Sequence, residues 1–215
     1  MQLPDSTALI DGARALGVSL SPEQVATLLA YLTLLSKWSR VYNLTAVRDR
    51  DAMIVHHLLD SVAVVAPLRR WTGGQPARVL DVGSGAGLPG AVIAILLPEI
   101  DVTCVDAVGK KAAFIRQVAA ELALRNLHVV HARAEVLTGE PFDVIVSRAF
   151  ASLANFVSLT RRHVGAGSVW LAMKGHVPAE ELDALPKAVD VFHVEQLAVP
   201  GLDAARCIVW MREGK

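Results

Sequence analysis

The alternation of apolar and polar positions divides the chain into two regimes. Up to about residue 70 the apolar positions recur at helical spacing, with Val25, Leu28, Leu29, Leu32, Leu35 and Trp38 on one face. Ser21-Pro22-Glu23-Gln24 opens that helix: Ser21 caps it, Pro22 fits the first turn and Gln24 completes a capping box. Asn43-Leu44-Thr45 breaks the pattern, and a further helical stretch covers roughly 52–68. The turn-rich Trp71-Thr72-Gly73-Gly74-Gln75-Pro76 then marks a boundary. Beyond it, short apolar runs alternate with helical segments. The runs are Val79–Val82, Val102–Asp106, His128–His131, Phe142–Ser147, Ser168–Lys174, Val189–Val194 and Cys207–Arg212. Helical segments lie at about 88–97, 109–125 and 152–164. This order predicts an α/β fold, a mostly parallel sheet covered by helices. Residues 1–70 form a helical N-terminal extension and 71–215 one compact unit. Only a short turn around Pro200-Gly201 separates the last two runs, so they read as an antiparallel hairpin at one end of the sheet.

Composition narrows the function classes. With 53% hydrophobic and 20% charged residues among 215, the chain can bury a core and is not a disordered tail. Lys plus Arg and Asp plus Glu are 21 each, which argues against a nucleic-acid coat held by charge alone. Cys104 and Cys207 sit in apolar stretches, as buried thiols of a reducing cytoplasm do, and no zinc-ligand spacing is present. No metal is expected. The start, MQLPDS, lacks a leader pattern, and the longest apolar runs, such as Ala91–Leu97, are too short to span a bilayer. A cytoplasmic protein with no membrane partner is expected. No helix shows a long unused apolar stripe, so a monomer is expected too.

The strongest motif is Val79-Leu80-Asp81-Val82-Gly83-Ser84-Gly85-Ala86-Gly87-Leu88-Pro89-Gly90, a strand, a glycine loop and a helix start. Gly85, Gly87 and Gly90 satisfy the dinucleotide fingerprint, a weak signal alone. Asp81 says more. Its carboxylate repels a pyrophosphate and favours the ammonium and sulfonium of S-adenosylmethionine (SAM). Asp106 ends the second run and can accept from both ribose hydroxyls of a bound nucleoside. Glu135, in Ala132-Arg133-Ala134-Glu135 after the third run, borders the same crevice and suits an adenine edge, with the Ala134 amide near the ring. Asp81, Gly83, Ser84, Gly85, Gly87 and Asp106 form the candidate cofactor set.

These segments, with Asp-Ala-Val-Gly-Lys-Lys from Asp106, Ser147-Arg148-Ala149-Phe150-Ala151-Ser152-Leu153 and Met173-Lys174-Gly175, resemble the bacterial 16S rRNA guanine-N7 methyltransferase family, also called glucose-inhibited division protein B. The N-terminal motif Asn43-Leu44-Thr45, then His57 and Asp60-Ser61, is similar to the same family, and the likeness covers about residues 20–212. The resemblance implies a Rossmann-like class I SAM-dependent methyltransferase with a seven-stranded sheet. It implies N7-methylation of one guanine in the 530 loop of 16S rRNA, as rRNA or in the small ribosomal subunit. It implies SAM contacts at Gly83, Leu88, Ala134, Glu135 and Arg148.

The chemistry agrees with that reading. Methyl transfer is an in-line displacement that rests on alignment. Guanine N7 has a free lone pair and no proton to lose, so no general base is required. Ser147-Arg148-Ala149-Phe150 stands where amino-group methyltransferases carry an Asn or Asp, two prolines and an aromatic. Neither cysteine lies in a loop that could supply the thiolate of a carbon-5 pyrimidine enzyme. Arg148 is the catalytic candidate, able to pair with the methionine carboxylate, guanine O6 or a phosphate. Phe150, Lys174, Arg133, Lys110, Lys111, Asn43 and His57 are substrate-binding candidates. Phe150 can stack on a flipped base. His57 and Asp60, three apart, read as neighbours on a helix and lack a third metal ligand. A small-molecule SAM methyltransferase, an assembly factor that only binds and an NAD oxidoreductase are the competing readings. The N-terminal motif disfavours the first, the intact acid and glycine set the second, and Asp81 the third.

Overall fold

Seven strands form where the apolar runs lie: β1 (Ala77–Val82), β2 (Ile100–Asp106), β3 (Leu127–His131), β4 (Phe142–Arg148), β5 (Val164–Lys174), β6 (Val189–Leu197) and β7 (Arg206–Glu213). They make one sheet of order β3-β2-β1-β4-β5-β7-β6 in the computed structural model, which describes residues 4–214. Met1–Leu3, the first part of the stretch expected to carry no leader, and Lys215 lie outside the described residues. Strands β1 to β5 pair in parallel, and β7 runs antiparallel between β5 and β6. The hairpin is therefore present, with its second strand on the inside. Asp81 pairs with Cys104 and Val146, and Arg148 with Met173, so the C-terminal ends of the parallel strands line up along one edge.

Helix α1 (Pro4–Ala15) and helix α2 (Pro22–Tyr42) open the chain. Both halves of the expected capping box at Ser21 are present, and Asn43 closes α2 in a left-handed conformation, φ 51°. A long apolar helical stretch follows: α3 (Arg50–Met53), a π-helical turn (Ile54–Leu59), α4 (Asp60–Val62) and α5 (Val65–Thr72). Helices α6 (Gly90–Leu96), α7 (Gly109–Glu121), α8 (Leu153–Thr160) and α9 (Ala179–Asp183) belong to the sheet unit.

One buried cluster joins Leu28, Leu32, Leu35, Leu58 and Val62 of the extension to Val92, Ile93 and Phe114 on one face of the sheet. The second, with Leu80, Ile145, Phe156 and Trp170, lies on the other face under α8. The extension thus shares its core with the sheet across the expected boundary. Two expectations change here. The second helical stretch continues to Thr72, because Trp71 stacks against Phe192 and Trp210 at 5.5 Å each. Residues Arg50–Thr72 are also long and apolar enough to cross a membrane, unlike shorter runs such as Ala91–Leu97. Here 72% of the most apolar window is buried, so the apolarity serves a core helix.

Candidate active site

The glycine loop is built by close approach. Gly83 (φ 67°) turns the chain off β1, and a Cβ there would stand in open space above the strand ends. At Gly90 a Cβ would lie 2.5 Å from Cys104 Sγ and 2.7 Å from Asp81 Oδ2, so only glycine lets α6 start this close to β1 and β2. Gly90 N–H donates to Asp81 Oδ2 at 2.8 Å, and the Ser84 hydroxyl donates to the Asp81 carbonyl at 2.8 Å. From the extension, the buried Tyr31 hydroxyl donates to the Ala86 carbonyl at 2.8 Å and pins the loop from below.

Two cavities open along the strand ends. The smaller, about 200 Å³, is lined by Gly83, Asp106, Arg133, Ala134, Glu135 and Phe150 among others. Asp106 is almost buried and accepts from Gly85 N–H at 2.9 Å and Val108 N–H at 2.8 Å, one bond per oxygen. Each oxygen retains a lone pair for a ligand hydroxyl. The Ala134–Val136 turn is held from behind: His163 Nε2 donates to the Ala134 carbonyl and Arg162 to the Glu135 carbonyl, both at 2.7 Å. Basic residues at a helix end are favourable anyway, so the sequence gives no reason to single these two out.

The larger cavity, about 470 Å³, lies between the ends of β4, β5 and β7 and the extension. It is lined by Val47, His56, His57, Asp60, Arg148, Ala149, Met173, Lys174, Gly175 and Arg206. Its centrepiece is Asp60, 4% exposed. Arg148 donates to Asp60 Oδ2 at 3.1 Å and to the His56 carbonyl at 3.0 Å, while Arg206 Nε donates to Asp60 Oδ1 at 2.8 Å. One carboxylate thus fixes two arginines, one from each of the strands that flank β5. Lys174 is held by both oxygens of Glu181, at 2.9 and 2.7 Å, and reaches the Phe150 carbonyl at 3.3 Å.

The turn after β4 is the shared wall. Arg148 and Ala149 face the larger cavity and Phe150 the smaller. Ala149 adopts φ 63°, a left-handed conformation that disfavours a residue with a Cβ and is held here between two cavities. Ser147 anchors the strand below, donating to the Val82 carbonyl at 2.8 Å.

The candidate residues therefore divide. Gly83, Asp106, Ala134, Glu135, Arg133 and Phe150 meet in the smaller cavity, and His57, Arg148 and Lys174 in the larger. Gly85, Gly87, Ser84 and Leu88 shape the loop without lining either one. Asp81 differs from expectation: it is fully buried beneath the loop, and burial pushes its carboxyl up to about 7. Its Oδ1 has no partner, so one acceptor stands free directly under the loop. That orphan oxygen, the remaining lone pairs of Asp106 and the open space at Gly83 fit a SAM-sized nucleoside with a cationic tail.

Three substrate candidates line neither cavity. Asn43 caps α2 and accepts from Arg48 at 2.8 Å, Lys110 donates to the Tyr42 carbonyl at 2.9 Å, and Lys111 lies 3.9 Å from Asp106. The expected His57–Asp60 neighbour pair does not form. His57 Nε2 is 2.8 Å from Thr45 Oγ1, and Asp60 turns to the arginines, because the intervening backbone is a π-helical turn. Burial, with Arg148 nearby, holds the His57 ring down at about 4, and its Nδ1 has no partner. Sequence reasoning missed Arg206, whose only signal is a basic residue opening the last strand. No group of metal-ligating side chains occurs among the described residues.

Solved structures share this fold at low identity. MtNAS in complex with MTA and tNA superposes with a TM-score of 0.62 at 13% identity, covering 86% of this chain and 71% of that one. TrmN from Thermus thermophilus gives 0.58 at 20% identity, covering 72% of this chain and 49%, about half, of that one. The fold is the Rossmann-like class I methyltransferase fold. Relatives named ribosomal RNA small subunit methyltransferase G include those of Leptothrix cholodnii, 60% identical with 97% of this chain and 96% of the relative covered, and an Acidovorax species, 59% identical with 95% and 94% covered. The family model described as rRNA small subunit methyltransferase G matches residues 24–209, and the chain belongs to that family.

Proposed function

We propose that this protein transfers a methyl group from SAM to N7 of one guanine, nucleotide 527 in the 530 loop of 16S rRNA. The observation that carries the reading is the paired cavity: a nucleoside-sized crevice with acceptor side chains adjoins a larger, cation-lined one across a single turn. When bound, SAM supplies a methyl group on a sulfonium that departs as a neutral thioether. Asp106 accepts from the ribose hydroxyls, Glu135 borders the base, and the orphan Asp81 oxygen offsets the cationic tail. Arg148, Arg206 and Lys174 draw the anionic substrate into the larger cavity. Phe150 faces the cofactor side of the shared wall and packs on Phe156, ring centroids 5.5 Å apart.

The cavity groups also favour a target atom that loses no proton. Both Asp60 oxygens are taken by arginines, and a His57 ring held near 4 is a weak base at neutral pH. Burial raises both thiols, and neither cysteine lines either cavity. Guanine N7 suits such a site. An rRNA substrate implies action in the cytoplasm, and the reading takes the enzyme as a monomer.

The test uses radiolabelled SAM, purified protein, and 16S rRNA or small subunits from a strain lacking this gene. Digested nucleosides should carry label in 7-methylguanosine at one site. SAM binding without any RNA label would overturn the reading in favour of a small-molecule acceptor.

A further inference from the structure

We propose that the exposed end of α2 and the loop after it, from Lys37 to Arg48, form a docking surface for a single-stranded RNA segment beside the target base. Tyr42 stacks on one of its bases, and Lys37, Arg40 and Arg48 take its phosphates. The inference rests on the RNA reading above and adds where the strand lies.

The charge pattern is the first support. The chain is neutral as a whole, yet 37–48 carries Lys37, Arg40 and Arg48 and not one Asp or Glu. All three are exposed, and none forms an ion pair among the described residues. The next acid, Asp49, is occupied as the helix cap of α3, accepting from Ala52 N–H at 2.8 Å. Lys110 adds a fourth cation, its ammonium on the Tyr42 carbonyl. An acid-free basic strip of this kind suits a phosphodiester backbone.

Apolar exposure is the second support. Val41 is 71% and Tyr42 42% exposed, side by side in the strip, and Val108 beside Lys110 is 39% exposed. The Tyr42 ring lies 5.1 Å from Trp38, which lies 5.5 Å from Phe114. An aromatic ladder thus rises from the core and ends in solvent at Tyr42. A stacked base would extend it, as sequence-tolerant single-strand binding uses aromatic platforms between cations.

Placement is the third. Lys110 opens α7 just after Asp106, so the Tyr42 end of the strip adjoins the cofactor crevice. At the other end Val47 lines the larger cavity, and Thr45 holds His57 in its wall. A strand lying along 42–47 therefore leads into the cavity that receives the reacting base.

The experiment measures steady-state methylation of 16S rRNA over a salt series. It compares wild type, the double variant Lys37→Gln/Arg40→Gln, Tyr42→Ala and the control Lys187→Gln, an exposed lysine outside the strip. Thermal melts and SAM affinity check that each variant is intact. The double variant should flatten the slope of log KM for RNA against log salt by about 1.4, roughly 0.7 per phosphate for a single strand. Tyr42→Ala should raise the RNA KM about tenfold, with kcat at saturating RNA unchanged. If KM and slope match the control in both variants while wild type methylates RNA, the surface is wrong and the function stands. If wild type methylates no RNA, the functional reading fails and takes this inference with it.

Discussion

The two cavities share one wall but are built on different principles. The smaller is made by short local motifs at successive strand ends: a glycine turn after β1, an acid ending β2 and a one-turn helix after β3. Its donors and acceptors are largely backbone amides and the carboxylates they hold. The larger is made by charges far apart in sequence, with Asp60 gripping Arg148 and Arg206 across 88 and 146 residues. On the proposed reading, local turns hold the cofactor and long-range ion pairs aim cations at the anionic substrate. The ion pairs also make the helical extension part of the larger cavity rather than an appendage.

Four changes would break or sharpen that contrast. Arg148→Ala should remove turnover, on the order of a hundred- to a thousandfold in label incorporation, with cooperative unfolding retained because Arg206 still pairs Asp60. Asp60→Ala should lower stability by about 3 kcal/mol in urea unfolding. It strands two guanidiniums that are only 22% and 23% exposed in their side chains, against a carboxylate at 5%. Asp106→Asn should weaken SAM binding by about 1.5–3 kcal/mol in calorimetry, through weakened charge-assisted bonds to the ribose. An unchanged SAM affinity would remove Asp106 from the cofactor site.

The smallest effect is a pH slope. The folded Asp81 carboxyl sits at about 7 against 3.8 unfolded, so the native state holds its proton more tightly. Stability from this group is full below 3.8 and is lost as pH rises through about 7. His57 opposes it: its ring is depressed from 6.5 to about 4, so its contribution is present above 6.5 and lost as pH falls through 4. Asp81→Asn should therefore leave a protein whose urea stability rises from pH 4 to 6.5 and flattens above. A continued fall toward pH 7 in that variant would assign the slope to another group.

The smaller cavity is largely legible in the sequence, because each of its pieces is a short motif at the end of an apolar run. The strand, the glycine loop, Asp106 and the Ala132–Glu135 segment follow from run lengths and turn residues. Sequence alone puts Asp81 on the surface of the crevice as a ligand, yet the loop folds over it, since a close approach such as that at Gly90 leaves no trace but a glycine. The larger cavity is legible only in pieces. His57 and Asp60 are visible, but helical spacing pairs them with each other, and only the π-helical turn and the folded sheet send them to Thr45 and the arginines. Arg206 cannot be singled out, because which strand lies beside β5 is a property of the whole sheet. The short α9, acidic and without a buried residue, carries no periodic signal either, yet its Glu181 holds Lys174.

On the proposed reading, the extension serves the acceptor side and the glycine loop the cofactor side. The most direct test measures SAM affinity and RNA turnover side by side for Asp60→Asn, which keeps the shape and removes the charge that fixes both arginines. SAM binding should stay within about twofold of wild type and turnover should fall at least about tenfold. Wild-type turnover, or SAM binding lost in a variant that is still folded, would overturn that division of roles.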